Sequence, residues 1–181
     1  GKTFVACYLA INDVLDKSFS HDKVIIVRSI VPTREVGHLP GTLDEKIAMY
    51  ELPYIDIFHD LVGKASTYGD MKAAGIIQFM SSSFIRGLTW NDAIVIVDEF
   101  QNMSMHELDG IITRVGENTR LILCGDIKSQ CDLKREKSSA IDFIKIAESM
   151  NEFSVVEFTK DDIVRSEFVK SWIEAKENLD L

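Results

Sequence analysis

Residues 93–102 read AIVIVDEFQN: the apolar run Ala93–Val97, then Asp98 and Glu99 side by side, then Phe100, Gln101 and Asn102. An unbroken apolar run rich in β-branched residues fits a strand covered on both faces, as in a parallel sheet. Ligands of such sheets gather beyond the carboxyl ends of the strands. A strand that ends there in two adjacent carboxylates suits phosphoryl chemistry: the first can hold Mg2+, directly or through water, and the second can polarise an attacking water. A turn closing a strand would explain one Asp, but two carboxylates followed by Gln and Asn favour the chemical reading.

Outward from this stretch, four more segments read as short buried strands: Lys23–Arg28, Gly75–Met80, Arg120–Cys124 and Phe153–Phe158. Helical patterns lie between them. Thr3–Leu15 is apolar nearly all round, which suits a helix buried on a sheet. Ser104–Arg114 opens with a capping-box pair, Ser104 and Glu107, and places Met105, Leu108, Ile111 and Ile112 on one face. Ser139–Ser149 is amphipathic through Ile141, Ile144 and Ala147. Asp162–Asn178 is expected to turn Phe168, Trp172 and Ile173 to the core. Alternation of strands and helices predicts an α/β domain with a mostly parallel sheet.

Two further clusters fall where ligands are expected. Gly1-Lys2-Thr3, followed at once by a helical segment, matches the tail of a Walker A loop, in which Lys reaches the β- and γ-phosphates and the Thr hydroxyl binds Mg2+. The strand ending at Cys124 runs into Gly125, Asp126 and then Gln130; an amide there can bond a γ-phosphate or the attacking water. Val36–Gly41, VGHLPG, is an irregular loop by its Gly and Pro, and Ser81–Thr89 is a polar loop carrying Arg86.

The 181 residues suffice for one domain, 1–181, with a buried core. A net charge of −9 argues against a surface coated with basic residues for gripping nucleic acid, without excluding a local groove. No run is long and apolar enough for a membrane helix, and the start lacks the marks of a signal peptide. Cys7, Cys124 and Cys131 fit no zinc or redox spacing and read as reduced core thiols of a cytosolic protein. His21, His38, His59 and His106 form no ligand-spaced pair and read as surface or loop residues.

Taken in order, the segments resemble the PhoH family of P-loop ATPases, relatives of the superfamily 1 helicase core. The resemblance rests on GKT at Gly1–Thr3, an Arg-ended strand at Arg28 with GHLPG and EK beyond, FIRGLT at Phe84–Thr89, VDEFQN at Val97–Asn102, LILCGDIKSQCD ending at Asp132, and DIVR at Asp162–Arg165. It covers almost the whole chain. Phe100 stands where the family usually has Ala, and Ile127–Ser129 puts three residues between Asp126 and Gln130 where the family has two.

The resemblance implies a three-layer RecA-like fold whose first strand, with most of the phosphate cradle, would precede Gly1. It implies ATP and Mg2+ as ligands. Gly1, Lys2 and Asp126 would face the nucleotide, Thr3 and Asp98 the metal. Glu99 would be the catalytic base, Gln130 a γ-phosphate sensor, and Arg165 an arginine finger acting within a chain or across a subunit interface. Arg165 reads equally well as a helix-start ion pair with Asp161 or Glu167. The expected function is ATP hydrolysis coupled to action on RNA or single-stranded DNA, in a cytoplasmic homo-oligomer, a ring being one form it could take. The alternative is a regulatory ATP-binding switch with little hydrolysis; a small-molecule kinase is disfavoured because no Arg-rich lid is present.

Overall fold

The structure, a computed structural model, describes residues 1–16, 20–30, 43–63, 66–126, 134–159, 162–164 and 166–178. Their elements are α1 (Lys2–Leu15), β1 (Lys23–Arg28), α2 (Leu43–Val62), α3 (Thr67–Ala73), β2 (Ile77–Ser81), β3 (Ala93–Asp98), α4 (Met105–Ile112), β4 (Thr119–Cys124), α5 (Lys134–Glu148) and α6 (Glu167–Asn178). Single 3-10 turns follow β2 (Ser82–Phe84) and β3 (Phe100–Asn102). The four strands form one all-parallel sheet in the order β2-β1-β3-β4. β1 and β3 are flanked on both sides, which is why their apolar runs are continuous.

Side chains alternate across the pleat and build a core on each face. Val24, Ile26, Ile94 and Ile96 meet Ala6, Cys7, Ala10 and Ile11 of α1 and Tyr54 and Phe58 of α2. Ile25, Val27, Val95 and Val97 meet Leu108 and Ile111 of α4 and Ala140 and Phe143 of α5. The result is helix, sheet and helix in three layers, the P-loop NTPase architecture. Register sets the site: Arg28 of β1 lies opposite Asp98 of β3, and Asp98 opposite Cys124 of β4, so three strands end level with one another.

Several expectations need correction. Phe153–Phe158 is no strand: no described strand pairs with it, and a β-branched run becomes a strand only where a neighbour satisfies its backbone groups. Val156 is 78% exposed, and Phe153 packs edge-on to Phe143 with ring centroids 6.2 Å apart. α6 starts at Glu167, later than expected, and Phe168 and Trp172 are 78% and 65% exposed rather than in the core. An amphipathic pattern gives the helix but not the surface that covers it. α1 buries one face through small residues and leaves Tyr8 and Leu9 half exposed. α2 and α3 were not expected at all: Pro53 inside α2 obscured its helical period, yet it sits on the outer, exposed side. β2 is shifted to Ile77–Ser81, and α5 begins earlier, at Lys134. His21 is no surface residue: its Nδ1 meets Asp13 Oδ1 at 2.6 Å, and Arg120 donates to Asp13 Oδ2 at 3.0 Å, joining α1 to β4 below the sheet. VGHLPG, Cys131, Gln130 and Arg165 lie outside the described residues.

Ile96 is fully buried in the central strand. Ile96→Ala should lower the unfolding free energy by about 2–5 kcal/mol. Urea denaturation followed by circular dichroism measures this; a loss below about 1 kcal/mol would place Ile96 outside a close-packed core.

Candidate functional site

The site begins where α1 meets the end of β3. Thr3, in the first turn of α1, donates from its hydroxyl to Asp98 Oδ1 at 2.8 Å across 95 residues of sequence. Gly1 is the N-cap of α1, and neither a side-chain cap nor an acidic residue occupies that first turn. A helix start of this kind presents N–H groups and the positive end of the helix dipole. Lys2 adds a cation beside it.

Asp98 is 6% exposed, a buried carboxylate that needs donors. Its second oxygen is filled by a residue the sequence did not flag: Tyr54 of α2 donates to Oδ2 at 2.7 Å. Burial pushes the Tyr54 phenol far above its ordinary range, and the adjacent Asp98 carboxylate adds to the effect, so the hydroxyl stays a proton donor. The nearby Arg28 guanidinium opposes that rise and stacks over Tyr50, 5.6 Å from the ring centroid. Burial likewise raises the thiols of Cys7 and Cys124 to about 12, with Asp98 as the second cause in both.

Glu99 follows in a left-handed backbone conformation, φ 53° and ψ 39°. A non-glycine residue held there costs on the order of 1–3 kcal/mol, and such residues cluster at functional sites. The turn swings the Glu99 side chain away from the strand line. Gln101, fully buried, donates from Nε2 to Glu99 Oε2 at 2.6 Å, and its Oε1 accepts from the Asp126 N–H at 3.2 Å. One amide therefore ties the carboxylate after β3 to the loop after β4. Gly125 makes that approach possible: a Cβ on it would lie 2.6 Å from the Phe100 ring and 2.7 Å from Gln101 Oε1.

Glu107 is the second node. It completes the capping box of α4 with Ser104, as the sequence predicts. It also accepts from Ser82 after β2 at 2.6 Å and from Ser29 after β1 at 3.0 Å. Burial would raise its carboxyl, but these donors outweigh it and hold the group below the ordinary value of 4.5.

Of the residues expected at the site, the structure brings Gly1, Lys2, Thr3, Asp98, Glu99 and Asp126 to one end of the sheet. Gln130 and Arg165 lie outside the described residues. The donor set fits Mg2+: a hydroxyl and one carboxylate, hard oxygen ligands, of the sort that leave the remaining positions to phosphate and water. No cluster of three or more His, Cys, Asp or Glu suited to a metal occurs among the described residues. No helix among them is long and apolar enough to cross a membrane.

A family model described as "PhoH-like protein" matches residues 1–177. The chain belongs to the PhoH family. It is 34% identical over 177 residues to a PhoH-like protein of Bacillus subtilis, covering 97% of this chain and 54% of that protein. It is 33% identical over 169 residues to Protein PhoH of Escherichia coli, covering 92% and 47%. A PhoH-like protein of Synechocystis is 31% identical over 179 residues, covering 98% and 53%. The chain thus spans about half the length of the curated relatives it matches. PhoH membership together with the parallel three-layer sheet makes this a P-loop NTPase-like protein.

The depressed Glu107 carboxyl in this PhoH chain stabilises the fold above the ordinary carboxyl value, and that contribution disappears as pH falls through the folded-state value. The native protein should therefore be more stable than Glu107→Gln at pH 7, with the gap closing on acidification below about 4.5. Urea midpoints across this range measure it; a gap independent of pH would mean that Glu107 is not held as a carboxylate.

Proposed function

We propose that this chain hydrolyses ATP with Mg2+ at the junction of α1 and β3. The bond from Thr3 Oγ1 to Asp98 Oδ1 carries the reading, because it supports a metal-holding pair directly beside a helix start. Thr3 and Asp98 would hold Mg2+, which supplies neutralisation of charge developing on the phosphate oxygens. Lys2 and the N–H groups of α1 bind and orient the β- and γ-phosphates. Glu99, aimed by its left-handed turn and by Gln101, takes the proton from the attacking water. Asp126 and Gln130 would sense the γ-phosphate.

In the full-length protein, with the complete phosphate-binding loop, Glu99→Gln should keep Mg·ATP binding by calorimetry and lose roughly a hundred- to ten-thousandfold in turnover. Unchanged turnover would remove Glu99 from the mechanism, and binding by the native protein without measurable turnover would favour a regulatory switch.

The same end of the sheet supports RNA or single-stranded DNA as the substrate to be moved. Phe84 is 55% exposed there, two residues from Arg86, whose guanidinium lies 3.1 Å from His106 Nε2. An exposed ring and a cation two residues apart in sequence are the residue types that stack on bases and bind phosphates of single strands. Added oligonucleotide should raise ATP turnover, and no response at low salt would count against a strand substrate.

We further propose a cytoplasmic homo-oligomer in which Arg165 completes a neighbour's site. A finger supplied in trans accelerates phosphoryl transfer by about a thousandfold or more. Inactive Arg165→Ala subunits mixed with inactive Glu99→Gln subunits should then regain activity. No recovery, in mixtures shown to exchange subunits, would exclude the trans arrangement.

A further inference from the structure

Asp98 is served from two directions, and only one of them belongs to the P-loop. Oδ1 faces Thr3, the metal side. Oδ2 accepts instead from the fully buried hydroxyl of Tyr54, and the Arg28 guanidinium, stacked over Tyr50, lies near that hydroxyl. Arg28 ends β1 level with Asp98 in the parallel register, so the relay spans two adjacent strands and the helix that covers them. We propose that Arg28 and Tyr54 are positioning residues that lock the Asp98 carboxylate with one oxygen turned to the metal.

The physical argument is one of freedom and basicity. A carboxylate bonded through one oxygen alone can rotate about χ2 and exchange its two oxygens at the metal. A donor fixed on Oδ2 removes that rotation. Tyr54 cannot drift: its ring packs 5.4 Å from that of Phe79 and lies wholly within the core on the α1–α2 face. Its helix is pinned in turn, since buried Glu51, one turn earlier, accepts from Tyr68 at 2.7 Å and from Lys72 at 2.6 Å. Hydrogen-bond partners of metal ligands typically hold about ten- to a hundredfold of metal affinity or activity. The same lock keeps Asp98 from folding back onto other donors when no metal is bound.

The inference rests on the reading of Asp98 as a metal ligand, and the experiment separates the two. Mg2+ is titrated calorimetrically into the intact protein saturated with a non-hydrolysable ATP analogue, and the analogue's own affinity is measured in chelator. Tyr54→Phe should weaken Mg2+ about tenfold or more. The analogue's affinity in chelator should stay unchanged, and ATPase activity should recover towards the native kcat at high Mg2+. Arg28→Met, which leaves Tyr54 in place, should weaken Mg2+ by a smaller factor, and it serves as the test should Tyr54→Phe not fold. Asp98→Asn is the control. If Asp98→Asn leaves Mg2+ affinity intact, the site reading fails. If Asp98→Asn loses Mg2+ while a folded Tyr54→Phe or Arg28→Met binds it as the native protein does, the relay is overturned. A lower melting temperature with native Mg2+ affinity assigns Tyr54 to the core alone and overturns it equally.

Discussion

The hydrogen bond from Thr3 to Asp98 fixes the geometry on which the rest of the site depends. It joins the first turn of α1 to the last residue of β3, two points 95 residues apart in sequence. The sheet makes the bond reproducible. β3 is fully buried along its length and in register with neighbours on both sides, so its final residue has little freedom to move. α1 is laid on that sheet through small side chains, Ala6, Cys7 and Ala10, which permit a close approach. Core packing thus determines where the start of α1 and a buried carboxylate meet.

The polar groups around this junction are arranged in layers of decreasing freedom. Each oxygen of Asp98 accepts from one hydroxyl. Glu99 is held by a strained backbone and by one amide. Gln101 leans on the backbone beside Gly125, where no side chain fits. Glu107 then gathers donors from the ends of β1 and β2 and from its own helix cap. Buried polar networks in a low-dielectric setting are rigid when every member is satisfied. The Glu99–Gln101–Asp126 group and the Glu107 group each hold their own loop ends in this way.

Much of this was legible in the sequence. AIVIVDEFQN announces a buried strand with carboxylates at its end, because a two-sided strand leaves an unbroken β-branched run. GKT announces the helix that meets it, and Ser104 with Glu107 announces the capping box. Tyr54 was not legible, because an aromatic residue behind Pro53 reads as ordinary core, and its hydroxyl gains meaning only from the long-range packing of α2. Gln101 could have been suspected from its place two residues after Glu99, since a buried amide must find partners. Phe153–Phe158 has the composition of a strand but no described neighbour to pair with. Phe168 and Trp172 have the period of a packed face but no described surface over them. Composition and period report local preference, whereas pairing and cover come from the rest of the molecule.

The central claim is that nucleotide and metal meet at the α1–β3 junction. A crystal structure with Mn2+ and a non-hydrolysable ATP analogue, with the metal located by its anomalous signal, tests it most directly. The account predicts the metal beside Thr3 Oγ1 and Asp98, with the β- and γ-phosphates against Lys2 and the start of α1. A metal and nucleotide bound elsewhere, with the Thr3–Asp98 bond undisturbed, would contradict it.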